Sequence, residues 1–270
     1  MRGDLHSHTI YSDGVLTVEE LISRAKIKGL SVFSITDHDC FDGAIIAQKY
    51  NTKDFRIVYG VEVSTKSNSE SIHILAYFSK PITDGILYDY LLKQKENRKD
   101  RAYKMISLLE EHFGFVLDDS FIKKTNSITR ANIAREIVKQ GYAKDIGEVF
   151  SKMIGPNNPC YLHSTHLQTK DAIEMIKASN GMPVLAHPCL YNKNDIEELI
   201  KLGVRGIEAV YPNGRDKETK YRDLAKKYNL LITGGSDFHR LNDTKHGDVA
   251  DATIQGKELE TFLKVLDNEY

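Results

Sequence analysis

Apolar residues recur along this 270-residue chain in short dense runs, separated by stretches with helical periodicity. The runs at 3–5, 31–35, 56–63, 72–78, 183–186, 206–210 and 230–233 read as buried strands. Thr17, with Glu20 three residues later, forms a capping-box signature. The helix it opens runs through Leu21, Ile22 and Ala25 to a stop at Gly29. Further helical patterns cover roughly 170–178, 194–202, 217–228 and 257–266. Alternation of this kind predicts an α/β fold on a mostly parallel sheet, open or closed into a barrel.

Two departures modify that prediction. From 83 to 168 the pattern gives helices and no strand, at 89–112, 128–140 and 144–152. This is more helix than one crossover needs, and it predicts an inserted α-helical subdomain (83–168) in a barrel made of 1–82 and 169–270. The third and fourth strands are joined only by Ser-Asn-Ser-Glu at 67–70, too short for a parallel crossover, so they should form a hairpin.

Composition adds bounds. Hydrophobic residues make up 41% and charged residues 28%, the balance of an ordinary globular protein. Cys40, Cys160 and Cys189 are odd in number and form no CxxC, which points to a reducing compartment. The start Met-Arg-Gly-Asp-Leu-His has no apolar leader, and no apolar run is long enough for a bilayer, so a cytoplasmic location away from membranes is expected. A net charge of -1 offers nucleic acid no global attraction, so an anionic substrate must be recognised locally.

The candidate chemistry lies at the strand ends. Six of the ten histidines stand there: His6, His8, His38, His73, His187 and His239. Asp13, Asp37, Glu62 and Asp237 accompany them. Ligands of α/β folds gather at the carboxyl ends of strands, so residues far apart in sequence should converge. In an extended His-x-His both rings share a face and can hold one ion. Imidazole with carboxylate suits Mn²⁺, Zn²⁺ or Fe²⁺, and Glu62 has two oxygens with which to bridge two ions. No nucleophile elbow and no glycine-rich phosphate loop is present.

His-Ser-His at 6–8, Ser-Asp-Gly at 12–14, Thr-Asp-His-Asp at 36–39, Ala-His-Pro at 186–188 and Gly-Ser-Asp-Phe-His at 235–239 together resemble the polymerase and histidinol phosphatase (PHP) superfamily. The resemblance spans essentially the whole chain. It implies a distorted (β/α)7 TIM-like barrel and a centre of two or three divalent metal ions. One ion would sit on His6, His8, Glu62 and Asp237, a second on Glu62, His73 and His187, and a third on Asp13, His38 and His239. It further implies phosphoester hydrolysis by a hydroxide bridging two ions, with Asp237 and His239 at the catalytic centre and Asp37 orienting a ligand.

The helical insert resembles one branch of the superfamily, the nucleoside 3′,5′-bisphosphate phosphatases and 5′→3′ exoribonucleases. Ile-Thr-Arg-Ala-Asn-Ile-Ala at 128–134 is similar to that branch's Gly-Arg-Pro-His-Ile-Ala pattern, with departures at Thr129, Ala131 and Asn132. Arg130 matches its arginine, and a guanidinium fork suits phosphate. The implied substrate is a small phosphorylated nucleotide or short oligonucleotide, with no obligate protein partner. Histidinol phosphate as substrate, and a non-catalytic metal-binding scaffold, remain as alternatives. Arg135 and the basic run 93–104 read as solvated faces, the latter able to graze an RNA backbone. His163 and His166 read as loop residues, His112 and His246 as surface residues, Tyr161 as core, and Asp39 as structural.

Overall fold

The computed structural model describes residues 1–270. In chain order the elements are β1 (Arg2–Asp4), α1 (Val18–Ile27), β2 (Val32–Ile35), α2 (Asp42–Ala47), β3 (Arg56–Ser67) and β4 (Glu70–Phe78). Four helices follow: α3 (Ile86–Phe113), α4 (Ser120–Lys124), α5 (Arg130–Lys139) and α6 (Ile146–Val149). The chain then forms β5 (Leu167–Gln168), α7 (Thr169–Ala178), β6 (Met182–Leu185), α8 (Ile196–Lys201), β7 (Gly206–Val210), α9 (Glu218–Tyr228), β8 (Leu231–Gly234), β9 (Ile254–Gln255) and α10 (Gly256–Glu269). All seven expected strands are present. The two unexpected ones, β5 and β9, have two residues each and leave no periodic signature.

The strands form one sheet in the order β8-β7-β6-β4-β3-β2-β1-β9, with β5 beside β3. β1, β2 and β3 run parallel, as do β6, β7 and β8. β4 is antiparallel to both neighbours. The expected β3–β4 hairpin turns at Asn68 (φ 45°) and Ser69 (φ 61°), two left-handed residues in succession that match the strand twist.

The barrel closes beyond the formal ends of β1 and β8. Leu5 N donates to Gly234 O (3.1 Å), Asp237 N to His6 O (2.9 Å), and His8 N to Phe238 O (2.9 Å). Gly235 permits this seam, because a Cβ there would stand 2.3 Å from His6 Cβ. Around the barrel, helices bury apolar stripes. α1 has the capping box that Thr17 and Glu20 foretell, and it buries Val18, Leu21, Ile22 and Ala25 against Phe33, Ile35 and Ile57. No helix is long and apolar enough to cross a membrane. The three cysteines are free and buried.

Residues of α3, α5 and the following turn, among them Met105, Leu109, Ile133, Ile137, Met153 and Ile154, gather in an apolar cluster of their own. Arg98 of α3 ties this cluster to the barrel. Its Nε donates to Asp39 Oδ2 (3.0 Å), its Nη2 to Ser64 Oγ (3.0 Å), and its Nη1 to Ile128 O (3.2 Å). The basic run at 93–104 is therefore not one solvated face, since Arg98 is buried within it. Asp39 is structural, as expected.

Candidate metal centre

Just past β1 the rings of His6 and His8 stand 5.2 Å apart, and both turn Nε2 toward Glu62 and Asp237. The chain after β2 brings His38, and β3 and β4 carry Glu62 and His73. The turns after β6 and β8 bring His187, Asp237 and His239. His187 (φ 26°) and Asp237 (φ 52°) hold left-handed conformations that cost a non-glycine residue energy, strain of a kind that collects at functional sites.

Four donor atoms form one knot. His6 Nε2 lies 3.3 Å from Glu62 Oε2 and 3.2 Å from Asp237 Oδ1. His8 Nε2 lies 3.2 Å and 3.1 Å from the same two oxygens. Donors about 2.0–2.2 Å from a tetrahedral ion stand about 3.3–3.6 Å apart, so the knot matches a metal shell slightly contracted. The other Glu62 oxygen, Oε1, has His73 Nδ1 at 2.9 Å and His187 Nε2 at 3.0 Å. A third group joins His239 Nε2 to Asp13 Oδ1 (3.2 Å), with His38 Nε2 3.9 Å from Asp13 Oδ2. His38 also turns Nδ1 toward Glu62 Oε2 (3.0 Å), so it lies between two groups. All nine expected ligand positions meet at one end of the barrel.

The donor set fits divalent ions on a further ground. His6 Nε2, His8 Nε2, His38 Nδ1, Asp13 Oδ1, Glu62 Oε2 and Asp237 Oδ1 are all buried without a hydrogen-bond partner. Buried polar atoms are normally paired, and here these six unpaired ones converge. Electrostatics agrees. Burial alone would raise the Glu62 carboxyl, but His38, His73 and His6 outweigh it and hold it well below the usual carboxylate range. Burial likewise opposes ionised Asp237, which His6, His246 and His239 keep well below that range. Burial also opposes a charged His8, yet Asp237 and Glu62 push its imidazole up to about 10. Such a compact set of opposite charges is one a cation can enter by displacing protons.

Surrounding groups fix these donors. Glu208, not anticipated from sequence, accepts from His6 Nδ1 (3.1 Å) and from the His187 backbone N–H (2.7 Å), which turns His6 Nε2 toward the knot. Its only signal is an acid inside the apolar strand Gly-Ile-Glu-Ala-Val. Tyr211 donates to Asp237 Oδ2 (2.9 Å). Asp37 accepts from Thr9 N (2.7 Å), Thr9 Oγ1 (2.6 Å) and Ser12 Oγ (2.6 Å). It reaches His8 only through Ser12, whose Oγ is 3.4 Å from His8 Nδ1. Asp37 thus shapes the His8–Asp13 loop and touches no histidine directly.

Two surface expectations are corrected. His246 stacks on His239 (4.3 Å between centroids), with Nδ1 3.0 Å from Asp243 Oδ2, because the loop after β8 folds back over the site. Arg135 is half-buried and not on a freely solvated face; its Nη1 donates to Asp13 O (2.8 Å). Arg130 is half-buried, donates to Ile154 O (3.3 Å), and lies over the rings of Phe150 and Tyr161. Asn132 caps α5 with Thr129 and donates to Ser12 O (2.9 Å). His163 and His166 lie in the expected loop, and His112 is exposed.

A cleft of about 750 Å3 opens over the cluster, walled by Arg135, Phe150, Arg240 and Lys245 among others. That is the size of a small-ligand site. On the other side of Phe150, Arg98, Arg101, Arg130 and His166 line a second cleft that also reaches His38 and His73.

The PHP domain family matches residues 4–182. A 3′,5′-nucleoside bisphosphate phosphatase of Chromobacterium violaceum is 33% identical over 247 residues, covering 87% of this chain and 86% of its own. The 5′-3′ exoribonuclease Rnm of Escherichia coli is 30% identical, covering 88% and 85%. A Chromobacterium violaceum structure called an amidohydrolase, with bound sulfate and no metal, superposes with TM-score 0.85 at 28% identity, covering 98% and 96%. A phosphoesterase-like structure from Bifidobacterium adolescentis gives TM-score 0.85 at 23% identity over 97% and 95%, which bears on the fold alone. The chain belongs to the PHP family and is a metal-dependent phosphoesterase of that family.

Proposed function

We propose that the enzyme removes the 3′-phosphate of nucleoside 3′,5′-bisphosphates or trims short 5′-phosphorylated RNA. The reading rests above all on the buried, unpartnered donor atoms that converge beneath a nucleotide-sized cleft with a basic wall. Two relatives whose names carry these two activities cover most of the chain. The proposed ligands are His6, His8, Glu62 and Asp237 for one ion, Glu62, His73 and His187 for a second, and Asp13, His38 and His239 for a third. Two or three ions of Mn²⁺, Zn²⁺ or Fe²⁺ suit these donors. When bound, they would supply charge neutralisation of the phosphate and ionisation of the attacking water.

The chain's own groups do the rest. Asp237 and His239 stand where the reacting phosphate would lie. Glu208 fixes the His6 tautomer, and Asp37 holds the Thr9–Ser12 turn from which His8 and Asp13 reach inward. Arg130, with no carboxylate partner, would take phosphate oxygens in its fork. Residues 83–168 act in this reading as an inserted subdomain that adds substrate contacts to a barrel of 1–82 and 169–270. The test is phosphate release from adenosine 3′,5′-bisphosphate and from 5′-phosphorylated dinucleotides in Mn²⁺, with Asp237→Ala as control. Turnover of neither, alongside rapid hydrolysis of histidinol phosphate, would overturn the reading.

A further inference from the structure

The loop after β8 descends over the metal cluster and is held there by its own bonds. Gly247 N donates to Ser236 O (2.8 Å), and Asn213 Nδ2 donates to Lys245 O (2.6 Å). A Cβ at position 247 would stand 2.6 Å from Pro212 Cγ, so glycine permits this approach. The result is the stack of His246 on His239. Asp243 then fixes the His246 ring. Its side chain is 3% exposed, and its carboxylate accepts from the Lys245 backbone N–H (2.9 Å), from Arg240 Nε (3.3 Å) and from His246 Nδ1 (3.0 Å).

One lone pair is left over. With Nδ1–H given to Asp243, the neutral ring of His246 carries its lone pair on Nε2. That atom faces the cluster, 3.8 Å from Asp237 Oδ2. Oδ2 is itself an acceptor and takes the Tyr211 hydroxyl, so two acceptors confront each other with no proton between them. Asp237 is buried, and its Oδ1 has no hydrogen-bond partner. His239 gives Nδ1–H to Asp237 O (2.8 Å) and so keeps Nε2 free for an ion. Ligand atoms of Asp237, His239 and His246 all lie within 4.8 Å of one another. A histidine whose far nitrogen is held by a carboxylate has the usual form of a metal ligand.

We propose that His246 is a tenth metal ligand, binding through Nε2 the ion that His239 helps to hold, with Asp243 as the residue that orients it. The inference rests on the metal cluster proposed above and adds a donor that none of its nine positions supplies. A further imidazole tilts that ion toward Zn²⁺ or Fe²⁺ and away from Mn²⁺, because nitrogen donors favour the former.

Calorimetric titration of metal-free protein with Zn²⁺ and, separately, with Mn²⁺ tests it. His246→Phe keeps a ring against His239 and removes the nitrogen. It should weaken binding of one ion at least about 100-fold while the others hold, and Asp243→Ala should weaken the same ion about 10–100-fold, the usual loss when the carboxylate behind a ligating histidine is removed. The loss should be larger for Zn²⁺ than for Mn²⁺. Visible absorption of the Co²⁺-loaded protein should change in both variants, because it reports the donors around the ion. If His246→Phe does not fold, His246→Gln carries the same measurements. Unchanged affinities with an unchanged Co²⁺ spectrum overturn the assignment, as does an equal loss for every ion together with a lowered Tm of the metal-free protein. Fewer than two ions bound by the wild type would sink the cluster on which both readings rest. The expected metal losses without turnover of any nucleotide would sink the proposed reaction and leave His246 standing as a ligand.

Discussion

The carboxyl-terminal rim of the barrel and the inner face of the helical insert look into adjoining clefts, yet they hold charge in opposite ways. On the rim, histidines and carboxylates from β3, β4 and the segments after β1, β2, β6 and β8 compensate one another within about 3–4 Å. On the insert, Arg101 and Arg130 face the second cleft without a salt-bridge partner, and only Arg98 is paired. The rim is self-consistent and can receive cations in exchange for protons. The insert wall carries positive charge that no ion pair of its own holds. The difference separates two kinds of surface: convergent donors that suit metal ions, and a wall of guanidinium groups without salt-bridge partners.

Changes on the rim should cost metal and turnover together, whereas changes on the wall should leave metal content intact. The largest effect is expected for Asp237→Ala, which removes an atom shared by His6 and His8. Phosphate release should fall roughly a thousandfold, about 4 kcal/mol, and elemental analysis should find fewer ions per chain. Normal metal content in that variant would break the comparison. Asp39→Ala leaves Arg98 buried and unpaired, and should lower unfolding free energy by about 3–5 kcal/mol in denaturant titrations while metal stoichiometry holds. Glu208→Ala frees the His6 ring and should weaken metal affinity about 10–100-fold in competition with a chelator.

A pH series sharpens the same point. In the metal-free pocket His8 is raised to about 10, so it is protonated at neutral pH and metal entry must expel that proton. Apparent affinity should therefore climb with pH by up to about tenfold per unit through the neutral range, with the proton released to buffer seen by calorimetry in buffers of different ionisation heat. An affinity flat from pH 6 to about 9 would contradict the charge balance described for the rim. The smallest change is Asn132→Ala, which removes a cap of α5 and its tie to Ser12 O, for a loss of about 1 kcal/mol in thermal stability and little change in metal content.

The rim was legible in the sequence because strand geometry is short-ranged. His-x-His can put two rings on one face with no other information, and Thr-Asp-His-Asp or Gly-Ser-Asp-Phe-His each follows a run that reads as a strand. The hairpin was legible from the length of its link. Glu208 was not flagged, although an acid inside Gly-Ile-Glu-Ala-Val would be expensive to bury without a partner, and that cost was the available signal. The insert wall was harder to read. Helical periodicity locates a stripe without saying whether it meets solvent or a neighbouring unit. The buried positions of α3 are Leu87, Leu91, Gln94, Arg98, Ala102, Met105 and Leu109, so Arg98 lies in register with the apolar stripe. Read by register instead of charge, it would have appeared as buried. His246 had no such cue, since its place depends on how the loop after β8 folds over His239.

The seam that shuts the barrel also joins the two halves of the ion cage. His8 and Asp237 lie about 230 residues apart, and they meet only when the segments after β1 and β8 hydrogen-bond. At about 5–20 residues per second, a ribosome needs roughly 10–45 s to make the second half after the first has emerged. Until Asp237 is made, the nascent chain offers His6 and His8 with Glu62 but without the second carboxylate of the knot. The complete four-donor knot therefore forms only once the segment after β8 has been made and has closed the seam.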